Sequence, residues 1–143
     1  MEVIVAFSIM LILTTMAVPL ARSRVKVERE RDLRAALREM RDAIDKYHDL
    51  NVAGYFGQVK EGTNYYPESL EMLVEGVKLN NAEGTKMRFL RQIPRDPFTG
   101  KAEWGLRSDQ DDAKSMSWGG ENVFDVYSKT TDRAPDGKPY SEW

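Results

Sequence analysis

The chain divides sharply by polarity. Residues 2–21, EVIVAFSIMLILTTMAVPLA, carry one charge at Glu2 and none again until Arg22. As a helix rising about 1.5 Å per residue, the roughly 19 residues after Glu2 span roughly 28 Å, close to the hydrocarbon thickness of a bilayer. Residues 22–50 contain neither Gly nor Pro. Within them Leu33, Ala36, Leu37, Met40, Ala43, Ile44 and Tyr47 recur at the 3.6-residue period, marking a single apolar stripe on an otherwise charged helix. The pattern predicts one helix from Val3 to near Leu50, apolar all round in its first half and one-sided in its second. Pro19 is the one position in it where a hydrogen bond is lost and a bend can form.

Beyond residue 50 the signals are shorter. Gly54, Gly57 and Gly62 make 51–64 an irregular connection. Pro67 suits the first position of a helix over 68–77, with Leu70, Leu73, Val74 and Val77 on one face and Glu68 and Glu71 in its first turn. Residues 80–86 read as a turn and 87–93 as loop or short helix. The run Pro94-Arg95-Asp96-Pro97-Phe98-Thr99-Gly100 is turn chemistry throughout. Residues 102–107 and 123–128 alternate and read as two strands, most simply paired antiparallel across the polar loop 108–121. The Pro/Gly/Asp-rich stretch 130–143 reads as a tail. The expected class is therefore α+β: segment 1–21 apolar, 22–50 its amphipathic continuation, and 51–143 a small head whose sheet packs on the second half of the helix.

Composition narrows the function. Outside the helix about 90 of the 143 residues remain, enough for one small domain. The net charge of −2 argues against general binding to nucleic acid. There is no cysteine, which excludes disulfides, thiolate metal sites and thiol catalysis. The apolar run is longer than a signal-peptide core, lacks a basic lead-in and an A-x-A cut, and is read as retained. No Gly-x-Ser-x-Gly, His-Glu-x-x-His or phosphate-loop pattern occurs, so no enzymatic activity is expected. His48, the lone histidine, reads as helix-end packing. Asp109, Asp111 and Asp112 read as a solvated loop.

Two residues in the apolar run stand out. An acid such as Glu2 is cheap at a membrane edge, but deeper in lipid it costs about 2.5–3.5 kcal/mol and then marks function. Pro19 is a kink, or a place where the helix around Thr14 and Thr15 unwinds, with their hydroxyls serving freed carbonyls. The basic run Arg22, Arg24, Lys26, Arg29 and Arg31 is a solvated face, a partner for acids of other copies, or a contact for lipid phosphates. Taken alone, that basic flank would lie on the cytoplasmic side.

In combination these features resemble the type IV pilin superfamily. Met1-Glu2-Val3 is similar to the end of its mature opening, and Val18-Pro19 to the close of its apolar helix. Tyr65-Tyr66-Pro67-Glu68-Ser69-Leu70, Ile93-Pro94-Arg95-Asp96-Pro97-Phe98, Phe124-Asp125-Val126-Tyr127-Ser128, Asp136-Gly137 and Trp143 resemble the later landmarks of the major pseudopilin of type II secretion.

The resemblance implies a methylated filament subunit processed by a prepilin peptidase. It would be stored single-pass in the bacterial inner membrane with its head in the periplasm, opposite to the placement the basic flank suggests. From there it would be built into a homopolymer with minor pseudopilins at an inner-membrane platform. Glu2 would neutralise a neighbour's N-terminal amine, and Pro19 would allow local unwinding. Calcium is implied for an Asp-rich loop near the C-terminal end. Here loop 129–140 offers Asp132 and Asp136, short of the six to eight oxygens calcium takes. Two alternatives stand beside this reading. One is an adhesive or motility pilin of the same fold, and the other a membrane-tethered sensor or binding domain that never polymerises.

Overall fold

The computed structural model describes all residues, Met1–Trp143. A single helix, α1, covers Glu2–Val52. The chain forms two compact units, Met1–Asp32 and Leu33–Trp143.

The first unit is the leading part of α1. None of its residues is buried. Helix geometry persists on both sides of Pro19. Proline has no N–H, so the carbonyl four residues back, that of Thr15, loses its usual donor. The polar side chains of this segment turn inward on their own backbone. Ser8 donates to the Ile4 carbonyl at 2.8 Å, Thr14 to Met10 at 2.7 Å and Thr15 to Ile12 at 2.8 Å. The hydroxyls thus serve carbonyls earlier in the helix, and not the one that Pro19 leaves open.

The second unit is built on the expected stripe. Leu33, Leu37, Met40, Ile44 and Tyr47 are buried together with Leu73, Leu90, Trp104, Val126 and Tyr140. The helix runs two residues past the expected end, and Asn51 is buried there because its amide donates to the Tyr65 carbonyl at 3.0 Å. The second helix, α2, is shorter than expected, Leu70–Glu75. Ser69 caps it by accepting from the Met72 N–H. Pro67 therefore lies before the helix and not at its first position. It is buried, and its carbonyl accepts the Val123 N–H at 2.7 Å.

Val77 also leaves the expected helix. Gly76 adopts φ 90°, a conformation a side chain would strain, and an added Cβ there would meet the Met87 carbonyl at 2.8 Å. The chain turns instead into strand β1, Val77–Lys78, paired antiparallel with β2, Lys86–Met87. The turn expected over 80–86 is present and joins these two short strands, which were not expected, and the chain beyond β2 is loop up to residue 93.

Strands β3, Gly105–Arg107, and β4, Asp125–Tyr127, pair antiparallel as anticipated, in the register Gly105↔Tyr127, Leu106↔Val126 and Arg107↔Asp125. Both are shorter than the alternation suggested. The tail is more ordered than its composition implies. It closes in a 3-10 turn, Tyr140–Glu142, with Tyr140 fully buried and stacked on Phe98 at 4.2 Å.

The turn over 94–100 wraps around Asp96, which is fully buried. One carboxylate oxygen accepts the Phe98 N–H at 2.8 Å, and the other accepts the Ser128 hydroxyl. The Asp96 N–H donates to the Lys101 carbonyl at 2.9 Å. Pro94 accepts the Trp104 indole N–H at 2.8 Å. These short side-chain links hold the head together where strands of two or three residues supply few ladder bonds.

Candidate assembly surfaces

The apolar segment is the most unusual surface of the molecule. Phe7 is 68% exposed and Met10 70% exposed, and every residue from 2 to 21 is classed with them as exposed. α1 is long and apolar enough to cross a membrane, and none of its apolar window is covered by the rest of the chain. Large contiguous apolar surface of this kind marks contact with lipid or with another protein.

Glu2 opens α1 as the acid of its first turn and is exposed, where it complements the helix dipole. Pro19 lies inside the same helix about 25 Å further along. The two therefore do not form one site. Each can act only on what is brought to it.

Asp132 and Asp136 lie on an exposed loop closed by an Arg133↔Pro139 bridge. Asp136 accepts the Lys138 N–H at 2.9 Å, which shapes the turn before Gly137. The Asp132 N–H donates to the Thr130 hydroxyl at 3.2 Å. No group of three His, Asp or Glu side chains gathers around a common point in the chain. The loop thus presents two separate carboxylates, one already engaged by its own backbone.

The head holds a charged cluster that the sequence did not single out. Arg41 donates through Nε to Asp125 at 2.6 Å and through Nη2 to the Trp143 carbonyl at 2.7 Å. The Arg34 guanidinium lies 4.2 Å from the centre of the Trp143 ring. On the other side of Asp125, the buried Arg107 donates to the Ser115 carbonyl at 2.8 Å and to the Ser141 carbonyl at 3.0 Å, and stacks on Tyr127. Arg34, Arg41 and Arg107 together fasten the tail to α1 and to β4. Alongside runs an open groove of about 550 Å³, where Arg38 and Lys138 face Asp42, Asp136 and Glu142. With both signs present it has no strong preference for either charge.

Loop 108–121 is also folded rather than merely solvated. The Asp111 carboxylate accepts the Ser108 N–H at 2.8 Å and the Gly119 N–H at 3.0 Å. These bonds, chiefly that from Ser108, hold its pKa below the ordinary carboxylate value, with the Ser108 hydroxyl and the nearby Arg107 charge acting the same way. Buried Asn122 anchors the loop through the Thr63 carbonyl at 2.9 Å and Asp109 at 2.8 Å. His48 packs at the helix end, as expected, stacked on Tyr66 at 4.2 Å.

No protein-family model, curated protein or solved structure matches the chain.

Proposed function

We propose that this chain is the structural subunit of a pseudopilus-like filament of a type II secretion system, drawn from an inner-membrane pool in which the apolar first part of α1 spans the bilayer and the head lies in the periplasm. One observation carries the reading. The Leu33–Trp143 unit closes its own core, while the apolar residues of the Met1–Asp32 unit are covered by nothing in the chain. Such a segment needs an apolar partner from outside, first lipid and then copies of itself. The order of landmarks from Glu2 to Trp143 supports the choice of filament. Within this reading, Glu2 pairs with a neighbour's N-terminal amine and Pro19 marks where the helix adapts on leaving lipid. Minor pseudopilins, an assembly platform and a prepilin peptidase are the partners it requires.

The absence of cysteine makes the test clean. Cysteines placed at Leu11 and Val18, oxidised in membranes of cells that supply the assembly machinery, should give a ladder of multimers. Glu2→Ala should abolish the ladder while the protein still partitions into membranes. A lone monomer band from the Glu2-containing chain would refute the proposal. Long surface filaments, in place of short periplasmic ones, would move the reading to an adhesive or motility pilin.

A further inference from the structure

The residues that follow the apolar run form a second surface. Arg22, Arg24, Lys26, Arg29 and Arg31 fall within ten positions, and the first acid after Glu2 is Glu28. The first six residues beyond the run, Arg22-Ser23-Arg24-Val25-Lys26-Val27, therefore hold three cations and no anion. All are helical. Arg22, Arg24 and Arg29 are exposed and make no ionic or hydrogen-bonding contact within the chain.

Their placement on the helix is informative. Arg22, Lys26 and Arg29 are spaced i, i+4, i+7 and share one side. Arg24 lies about 200° round from Arg22, and Arg31 falls on the same side as Arg24. Cations thus lie on two opposite sides of the helix instead of forming a single stripe. A flat protein face would meet only one side, whereas the headgroup layer around a membrane-crossing helix meets every side.

The axial spacing agrees. The headgroup region adds roughly 5–8 Å to each side of the hydrocarbon core, and residues 22–26 cover about 6 Å of helix axis. Side chains in a helix lean toward its N-terminus. Arg22 and Arg24 can therefore reach back toward the apolar run, the acids at Glu28 and Glu30 lie beyond the first three cations, and Arg31 is instead paired with Asp32 at 3.8 Å.

We propose that Arg22, Arg24 and Arg29 form a cuff that binds the phosphates of anionic phospholipids and enriches such lipids around the membrane-resident subunit. This rests on the reading that the apolar segment lies in a bilayer. Oriented donors on a stiff helix, joined to a greasy run of the right length, are the chemistry that recognises an anionic interface.

The test uses the full chain with Ser23→Cys carrying a fluorescent donor, reconstituted in phosphatidylcholine vesicles. Acceptor dye is placed on the acyl chain of either phosphatidylglycerol or phosphatidylcholine, at equal mole fraction. At about 0.01 M salt, where screening extends over about 30 Å, labelled phosphatidylglycerol should be enriched about threefold or more near the donor. The preference should collapse toward equality at about 1 M salt, and in the Arg22→Gln, Arg24→Gln, Arg29→Gln variant at low salt. Flotation on a density gradient separates the two ideas. A chain that floats with the vesicles yet shows equal transfer from both lipids overturns the cuff alone. A chain that stays unbound overturns the membrane reading and the cuff with it. Equal transfer accompanied by salt-sensitive donor–donor quenching would assign the cations to contacts between copies, and also overturns the cuff.

Discussion

Arg41 on α1 and Asp125 on β4, 84 positions apart, meet at 2.6 Å, and the same guanidinium holds the Trp143 carbonyl. One side chain thus joins the helix, the central strand pair and the tail. The two partners are 35% and 25% exposed, so solvent weakens the pair without abolishing it. Arg41→Ala should lower head stability by about 1–2 kcal/mol, read from the urea midpoint of tryptophan fluorescence. Arg41→Lys should restore less than half of that, because an ammonium cannot span both acceptors as the fork does. If Arg41→Ala and Asp125→Ala prove additive in a double-mutant cycle, the linkage is not energetic.

The apolar residues of α1 should behave in two opposite ways. Ile44 is fully buried in the head, so Ile44→Ala should cost about 2–5 kcal/mol in the same unfolding measurement. Ile9 is 53% exposed, and Ile9→Ala should leave that midpoint unchanged. All three tryptophans, Trp104, Trp118 and Trp143, lie in the Leu33–Trp143 unit, so the signal reports that unit alone. A comparable loss from both substitutions would contradict the division of the helix.

Gly105 has no room for a side chain. A Cβ there would lie 2.1 Å from the Tyr127 ring, which is itself buried under Arg107. Gly105→Ala should destabilise the head by about 1–3 kcal/mol or more. Adding Tyr127→Val should recover part of the loss relative to Gly105→Ala alone, since the clash and its cause are removed together. Equal or greater loss in the double variant would show that the strain lies elsewhere.

Acid should loosen loop 108–121 late. The folded Asp111 carboxylate has a lowered pKa, so its contribution is complete above the ordinary value of 3.8 and is lost as pH falls through the depressed folded one. Amide resonances of Ser108 and Gly119 should therefore hold their positions down to the ordinary carboxylate range and shift together below it. In Asp111→Asn that joint low-pH shift should disappear. Movement of the two amides at unrelated pH values would break the assignment.

The long helix was legible because a continuous apolar run and then a 3.6-residue stripe follow one another, with no Gly or Pro between residues 20 and 53. The β3–β4 pair was legible in type and partner. Its length was not, since alternation continues past the last ladder bond. The β1–β2 hairpin offered no period to read, because two residues per strand cannot show one. It forms because Gly76 turns the chain and because the Phe89 and Leu90 N–H groups both reach the Leu73 carbonyl, at 2.9 and 3.0 Å.

The tail misled for another reason. Pro, Gly and Asp signal local turns, and they do turn the chain, but Tyr140 is held by a distant ring at Phe98. Arg41 and Asp125 carried no local mark at all. An arginine on a charged helix and an aspartate in a strand pattern look like solvated residues until the fold brings them together. Glu2 and Pro19 stood out in the sequence, and both lie exposed on α1.

The bare apolar stretch has a consequence for how copies travel. Hiding the exposed side chains of residues 3–20 from water is worth roughly 10–25 kcal/mol. A dissolved monomer is then too rare to serve as a carrier at any concentration a cell can reach. In the filament reading proposed above, each molecule would therefore pass sideways from one greasy surrounding to the next, touching its new neighbours before it has let go of the old.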